Sequence, residues 1–329
     1  MVEEDVRAHL SELTLQEGEP GVGVGGAVYS FGHLTLERTT LISNTAPWGG
    51  AVLNNGTLTV TESVFLNNVA DEEGGALNCT LQSTTVVHAT RFANNRAGEV
   101  GGGILNFGTM TVTASIFENS KATDFGGGID NVAGVLTVSG STFVDNWTGT
   151  EGGGGGLRTM GGALTVVNST FSDNRSDSQG GALHSGSPTV ITNTTFFSNT
   201  ASGSGGNIYF AGFSLALRNT IVANGSPDNC STTVSSRGHN LESGNSCHFS
   251  ATGDLSEIDP LLGPLAGNFG ATPTHALLPG SPAIDAGTND GCPSVDQRGF
   301  PRPQNGVCDI GAYELLNLVP RIWLPLVLR

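Results

Sequence analysis

Polar and apolar positions alternate along most of the chain, within a unit that recurs every 24 to 28 residues. Residues 49–73, GGAVLNNGTLTVTESVFLNNVADEE, are one of eight copies, each opened by a glycine pair. The copies open at Gly25, Gly49, Gly74, Gly102, Gly127, Gly155, Gly180 and Gly205. Alternation within each copy is typical of strands that bury one face. A short period with small slips indicates a solenoid, in which the slips fall in loops.

Equivalent positions of successive copies form columns of like residues. One column is Val60, Val87, Val112, Val138 and Val166. A second is Phe65, Phe92, Phe117, Phe143, Phe171 and Phe196, with Leu41 and Ile221 at its ends. Side chains at equal positions of stacked coils lie about 4.8 Å apart, which is the inter-strand spacing. We therefore expect the phenylalanines to stack as a structural ladder inside the coil.

A polar column follows three residues after each member of the phenylalanine column. Its members are Asn44, Asn68, Asn95, Ser120, Asn146, Asn174, Asn199 and Asn224. Stacked asparagines can bridge adjacent coils through their side-chain amides, and the repeated glycines suit a corner with positive φ. The patterns together predict an all-β fold: a right-handed parallel β-helix of about eight recognisable coils, followed by an irregular C-terminal capping module.

Four segments follow from this pattern. Residues 1–24 form an N-terminal cap or a truncated first coil, because residues 12–18, ELTLQEG, are similar to the LTV strand of a coil whose first half is missing. Residues 25–228 form the β-helix repeats, residues 229–314 the C-terminal end and capping module, and residues 315–329 a short apolar tail. The tail is either a sorting or anchoring segment or a last strand that covers the end of the solenoid.

The charge balance is acidic: the net charge is −16, with one lysine and twelve arginines. This argues against nucleic acids and anionic membrane surfaces as partners. No apolar run approaches the roughly 20 residues of a spanning helix. The acidic opening residues are not a signal peptide, so we expect either a chain that starts inside a longer gene product or a cap.

The GGA-x-x-N and F-x-x-N elements of residues 25–224 resemble the repeats of polymorphic outer-membrane proteins, a family of bacterial surface β-helices. The resemblance implies a passenger-type domain associated with adhesion. It also implies an extracellular or cell-surface location in a bacterium, with cell-surface glycans or proteins as candidate partners.

Past residue 224 the repeat dissolves into a second ordered set of motifs. They are Asn229-Cys230, GHNL at 238–241, IDPLLGPL at 258–265, TPTHALLPGSPAIDAG at 272–287, DQRG at 296–299, Arg302-Pro303 and CDIGAYE at 308–314. This run resembles the C-terminal part of the choice-of-anchor β-helix proteins of bacterial surfaces. That resemblance brings no catalytic residues and no cofactor.

Four of the five cysteines lie in this C-terminal part, as two similarly spaced pairs. In an exported protein we expect Cys230–Cys247 and Cys292–Cys308 disulfides, with Cys79 left free. The alternative is a metal site built from Cys230, His239, Cys247 and His248, but adjacent ligands at 247 and 248 are awkward and no C-x-x-C is present. We therefore predict no metal and no cofactor.

Two aspartates are the candidates for catalysis. Asp145 and Asp173 occupy the same position of neighbouring coils, where stacking at roughly 5 Å matches the carboxylate separation of a retaining glycosidase. The same column otherwise holds asparagine and serine, which favours turn residues, so no catalytic role is assigned. Asp130 and Arg158 also share a column, and we interpret them as a surface ion pair.

Two outward columns are candidate binding surfaces. One is Val28, Val52, Leu77, Leu105, Asp130, Arg158, Leu183 and Ile208, which strand alternation places outside as an apolar stripe or under loops. The other is a T-x-T array that Val86, His88, Val167 and Val190 interrupt.

We expect an exported or cell-surface protein with an adhesive, structural or ligand-binding role. The alternative is a polysaccharide-active enzyme of the hydrolase or lyase type, and an outside alternative is an ice- or surface-binding solenoid.

Overall fold

The computed structural model describes residues 1–20 and 23–316. Within this part of the chain every regular element is a strand, and the strands form four long parallel sheets and one antiparallel hairpin. Each coil visits the four parallel sheets in turn, and each strand pairs with its equivalents in the coils before and after it. The prediction of a parallel β-helix is confirmed.

The first sheet contains Val28–Ser30, Val52–Asn54, Leu77–Cys79, Ile104–Asn106, Ile129–Val132, Leu157–Met160, Leu183–Gly186 and Ile208–Phe210. The second contains Arg7–Ser11, His33–Glu37, Thr57–Thr61, Thr84–His88, Thr109–Thr113, Val135–Ser139, Ala163–Val167, Thr189–Thr192, Leu215–Arg218 and Ser235–Ser236. The third contains Thr14–Gln16, Thr40–Ile42, Val64–Leu66, Arg91–Ala93, Ile116–Glu118, Thr142–Val144, Thr170–Ser172, Thr195–Phe197, Ile221–Ala223 and Leu241–Glu242. The fourth contains Thr45–Trp48, Val69–Glu73, Arg96–Ala97, Lys121–Ala122, Trp147–Thr148, Arg175–Ser176 and Thr200–Ala201. The hairpin pairs Leu262–Ala266 with Thr274–Leu277.

The core is a set of columns that run along the solenoid. The valine column on the second sheet is fully buried, as is the phenylalanine column on the third. Adjacent phenylalanine rings from Phe65 to Phe196 stack with centroids 4.5–4.8 Å apart and planes within 14° of parallel. Because each inner ring contacts one ring above and one below, the column ties successive coils together by dispersion and offset stacking.

Glycine is required where each coil turns into the first sheet. Gly49 has φ of 64°, which side chains other than glycine rarely adopt. A Cβ on the next residue, Gly50, would lie 2.1 Å from the carbonyl oxygen of Gly75 in the following coil. The glycine pair therefore serves both the turn and the close stacking of coils.

The predicted register of the first sheet was wrong by one residue in three of the eight coils. The positive-φ glycines of three coils are Gly101, Gly126 and Gly154, each one residue before the glycine predicted to open the copy. The turn also interrupts strand alternation, so the residue after Ala51 faces inward. The column predicted to lie outside is buried: Val28, Val52, Leu77, Leu183 and Ile208 belong to the core, whereas Leu105, Asp130 and Arg158 lie on the outer side under neighbouring loops.

The ion pair predicted for the surface is buried instead. Arg158 donates two hydrogen bonds to the Asp130 carboxylate, at 2.6 and 2.7 Å, and its guanidinium lies 3.6 Å from the centroid of the Phe125 ring. Asp130 is fully buried and Arg158 is 8% exposed. Phe125, on the loop before the glycine turn, excludes water from the pair, which sequence alternation alone does not reveal.

Three predictions at the ends of the columns also need correction. Val222, and not Ile221, follows Phe196 in the phenylalanine column, so Asn224 falls outside the asparagine column and is exposed. Residues 12–18 do not form an LTV strand, because Thr14–Gln16 belongs to the third sheet and pairs with Thr40–Ile42. Arg7–Ser11 takes the LTV position. Most of the predicted apolar tail, residues 317–329, lies outside the described residues.

Residues 262–314, which we call the C-terminal strap, fold back along the outer face of the third sheet. Thr142 Oγ1 donates to the Pro273 carbonyl at 2.7 Å, and Thr170 Oγ1 donates to Gln297 Oε1 at 2.7 Å. The Ala312 N–H donates to Thr195 Oγ1 at 3.0 Å. A small second core, separate from the columns, lies between the third sheet and these C-terminal residues. This strap covers outward residues of the third sheet that would otherwise face solvent.

Both predicted disulfides are present. Cys230 is bonded to Cys247 and Cys292 to Cys308, which leaves Cys79 as a buried free thiol. The metal alternative at Cys230 and Cys247 is therefore wrong, because both sulfurs are in the disulfide. Among the described residues no group of three or more His, Cys, Asp or Glu side chains is placed to hold a metal ion.

Candidate functional site

The two candidate aspartates lie at the corner between the third and fourth sheets. Asp145 and Asp173 have φ of 55° and 57°, and the equivalent residues of the other coils have φ between 51° and 58°. Those equivalents are Ser43, Asn67, Asn94, Asn119 and Ser198. Asparagine and aspartate tolerate this left-handed conformation better than most residues, so the corner explains the composition of the column.

The corner is held rigid by the asparagine column beside it. Asn146 Nδ2 donates to Asn174 Oδ1 at 2.9 Å, and Asn174 Nδ2 donates to Asn199 Oδ1 at 2.9 Å. Each of these oxygens also accepts the backbone N–H of the asparagine one coil earlier. Since these asparagines are fully buried, the ladder fixes the backbone on which the candidate residues stand.

Two rows of side chains form an open groove of about 460 Å³ around this corner. The rows are Asn119, Asp145 and Asp173 on one bank, and Lys121, Trp147 and Arg175 on the other. The second row is in register, since Lys121 pairs with Trp147 and Trp147 with Arg175 in the fourth sheet. Three successive coils thus contribute one residue each to both banks.

The carboxylates of the acidic bank repel one another. Burial raises the pKa of Asp145, and the negative charges of Asp173 and Glu118 raise it further. Asp173 accepts a hydrogen bond from the Ser172 hydroxyl at 2.7 Å. On the other bank Arg175 is paired with Asp177 at 2.7 Å. Because the charged groups of the two banks differ in sign, the groove offers both hydrogen-bond donors and acceptors to a ligand.

A histidine of the C-terminal strap reaches the same coil. His275 Nε2 lies 3.0 Å from Ser172 Oγ, and His275 Nδ1 lies 2.8 Å from the Gly263 carbonyl oxygen. Because a carbonyl can only accept, Nδ1 carries a proton. Burial lowers the pKa of His275, whereas the hydrogen bond to the Gly263 carbonyl and the Asp173 charge act in the opposite direction. Ser172 Oγ therefore contacts both His275 of the strap and the Asp173 carboxylate.

Sequence reasoning missed the second bank of the groove. Lys121, Trp147 and Arg175 each lie two residues after a member of the corner column, on the far side of the buried ladder position. That spacing was the available signal, because residues on either side of an inward side chain both point outward. His275, which contacts Ser172 beside the groove, had no such signal, because it lies in the Thr274–Leu277 hairpin strand, outside the repeat.

Comparison with known proteins gives one family match. A family model described as Chlamydia polymorphic membrane protein (Chlamydia_PMP) repeat matches residues 62–80 and 168–186. Each match runs from the corner before a phenylalanine strand to the first-sheet strand of the next coil. No curated protein matches the chain, and no solved structure does. The chain is thus a parallel β-helix in which two segments are similar to polymorphic-membrane-protein repeats.

Proposed function

We propose that the protein is an exported or cell-surface β-helix that binds a glycan in the groove between Asp145 and Trp147. The observation that carries this proposal is the arrangement of a tryptophan between two cationic side chains, opposite a row of amide and carboxylate groups. Indole rings stack on the apolar faces of pyranose rings, while charged and amide groups pair with their hydroxyls.

Two observations support an exported location. The matched repeat is that of a family named for a Chlamydia polymorphic membrane protein, which agrees with the surface location that the resemblance implied. Two disulfides are typical of proteins in oxidising compartments. Separately, the searched residues contain no helix with the length and apolar character needed to cross a bilayer. The resemblance of residues 229–314 to choice-of-anchor proteins remains part of the proposal.

Glycan binding is tested on a panel of neutral and acidic oligosaccharides by calorimetry. We expect saturable binding of at least one pyranose oligosaccharide, weakened about tenfold or more by Trp147→Ala, because aromatic stacking dominates such sites. Trp48→Ala, which removes a tryptophan elsewhere on the surface, is the matched control and keeps full affinity. Absence of binding across the panel, or equal affinity in Trp147→Ala, would refute the proposal.

Glycoside hydrolysis is the second candidate, and the raised pKa of Asp145 beside Asp173 is the observation that favours it. A retaining glycosidase places an acid of raised pKa about 5–5.5 Å from its nucleophile. We expect no cleavage, since the corner geometry accounts for both aspartates without a catalytic role. Release of reducing ends from a polysaccharide, abolished by Asp173→Asn and not by Asn119→Ala, would establish the hydrolase instead.

Ice binding has weaker support. The outward face of the second sheet is interrupted by Val86, which is 41% exposed, and by His88, whose Nδ1 lies 2.9 Å from Thr113 Oγ1. A flat threonine array is therefore broken in its middle. Measurable thermal hysteresis of the purified protein would revive this alternative.

A further inference from the structure

A second cleft lies on the outer side of the first sheet, away from the glycan groove. Its volume is about 300 Å³, and its lining is mainly apolar. The lining residues are Trp48, Leu53, Glu73, Asn78, Thr80, Leu81 and Phe107. A cleft of this size is at the lower end of the range of small-molecule sites.

The cleft exists because one turn of the solenoid is longer than its neighbours. Four residues, 80–83, connect the first-sheet strand Leu77–Cys79 to Thr84–His88, whereas two residues make the equivalent connection in the coils on either side. The longer turn carries Leu81, which is 71% exposed, and Phe107 stands on the next turn. Buried Leu53 and Asn78, from successive first-sheet strands, form the floor.

The opposite wall combines an indole ring with carboxylates. Trp48 and Glu73 are in register in the fourth sheet, and the Trp48 ring is held by a hydrogen bond from Nε1 to Glu72 Oε2 at 2.8 Å. Glu73 Oε2 accepts a hydrogen bond from Asn78 Nδ2 at 3.2 Å. Both side chains are thus positioned before any ligand arrives, which reduces the entropy lost on binding.

The negative charge of this wall has no counter-ion within the described part of the chain. The lining includes no lysine, arginine or histidine, and no ion pair of the described residues involves Glu72 or Glu73. Burial raises the pKa of Glu73, the hydrogen bond from Asn78 partly offsets this rise, and the charges of Glu99, Glu72 and Asp130 add to it. A cation in the cleft would relieve this repulsion, whereas an anion would add to it.

We propose that this cleft binds a small organic cation with a quaternary ammonium group, with Trp48 and Phe107 as aromatic surfaces and Glu73 as the counter-charge. Quaternary ammonium ions are weakly hydrated and are recognised by aromatic side chains through the ring quadrupole. Metal ions and primary amines do not suit the cleft as well, because it offers few oxygen ligands and a largely apolar lining. The cleft shares no residue with the glycan groove, so the two proposals stand or fall separately.

The probe is choline, and its uncharged isostere 3,3-dimethylbutan-1-ol is the matched control ligand. The two molecules have nearly the same shape, so their difference in affinity reports the charge. In ligand-detected NMR titrations of the full chain we expect saturable choline binding, with the isostere about tenfold weaker or more, since a desolvated cation–π contact amounts to roughly that factor. Equal affinities for the two ligands, or no saturable choline binding, would overturn the proposal.

Two variants of cleft residues locate the binding. Glu73→Gln keeps an acceptor for Asn78 and removes the charge, and Trp48→Leu keeps an apolar side chain and removes the ring. We expect each to weaken choline binding about tenfold, with a far-UV spectrum and melting curve like the parent. Trp147→Leu, in the glycan groove, is the control that keeps full choline affinity. Choline binding that survives both cleft variants would place the site elsewhere and refute the assignment.

Discussion

The interior phenylalanine column allows a quantitative test of how successive coils are held together. Phe143 is fully buried, with ring centroids 4.7 Å from Phe117 and 4.5 Å from Phe171. Replacing it with alanine removes the six ring carbons from the middle of the ladder and leaves a cavity that two rigid neighbouring rings cannot fill. Emptying a buried aromatic site typically costs about 3–5 kcal/mol, and two stacking contacts are lost as well, so we expect about 4 kcal/mol for Phe143→Ala.

Equilibrium urea denaturation followed by far-UV circular dichroism measures this loss. Phe269→Ala is the matched control, because Phe269 is 95% exposed, and we expect it to change the free energy of unfolding by less than about 0.5 kcal/mol. A Phe143→Ala variant that unfolds at the same urea concentration as the parent would show that the ring is not packed inside the coil. A loss as large in the control would show that the assay does not report on the ladder.

Two further predictions concern covalent and ionisable groups of the fold. Replacing Cys292 and Cys308 together by serine should lower the free energy of unfolding by about 3 kcal/mol, the chain-entropy value for a loop of this length, and an unchanged urea midpoint under non-reducing conditions would contradict it. Burial, and secondarily the Arg158 charge, lowers the pKa of His184 to about 4. The unfolded chain therefore binds the proton more readily, so stability should fall by up to roughly 3 kcal/mol as the pH drops from about 6.5 to about 4, and His184→Gln should remove that part of the pH dependence. Burial raises the pKa of Asp309 to about 6, so its contribution to the pH dependence has the opposite sign. Because Asp309 is present in both proteins, the difference between parent and variant isolates the effect of His184. Identical pH profiles of the two proteins would contradict the prediction.

Sequence periodicity was sufficient to predict the inward-facing residues of the second and third sheets. Their inward side chains are large and alike in every coil, as in the valine column at Val60 and the phenylalanine column at Phe65, so equal spacing identified equal positions. The register between coils then follows from hydrophobic alternation, because a one-residue slip would turn every apolar side chain outward. The corner column was also visible in the sequence, since the left-handed backbone conformation selects asparagine, aspartate and serine there.

The first sheet was less predictable, because the glycines that open each coil do not mark a unique position. Runs such as 101–103 contain three glycines, and only the positive φ of Gly101 identifies the residue at the turn. Apolar residues also occupy both faces of this sheet, as buried Val52 and Leu53 show. The alternation of polar and apolar residues therefore does not indicate which side chains point into the core. The burial of Asp130 and Arg158 under Phe125 depends on a loop of the preceding coil, which no local pattern reveals.

The contacts of the C-terminal strap could not be predicted from the sequence for a different reason. Its contacts join residues more than 100 positions apart, such as Gln297 with Thr170 and His275 with Ser172. These hydrogen bonds are made by residues outside the repeat, so no periodicity in the sequence indicates them. The Cys292–Cys308 disulfide of the strap, like Cys230–Cys247 at the end of the solenoid, was predictable because cysteine spacing in an exported protein is informative by itself.

The central claim is that the chain stacks in register, one coil per inter-strand spacing, and a pair of spin-label distances tests it most directly. Thr35, Thr137 and Val190 lie in one outward column of the second sheet, so Thr137 is four coils and Val190 six coils from Thr35. Nitroxide labels on cysteines introduced at 35 and 137, and in a second protein at 35 and 190, are measured by double electron–electron resonance in a Cys79→Ala background.

Because the label linkers are the same in both proteins, the difference between the two distances reports the rise of the solenoid. In-register stacking predicts a second distance longer than the first by about 10 Å, two steps of the inter-strand spacing. Equal distances, or a second distance shorter than the first, would contradict the stacked-coil architecture and with it the assignment of both binding sites.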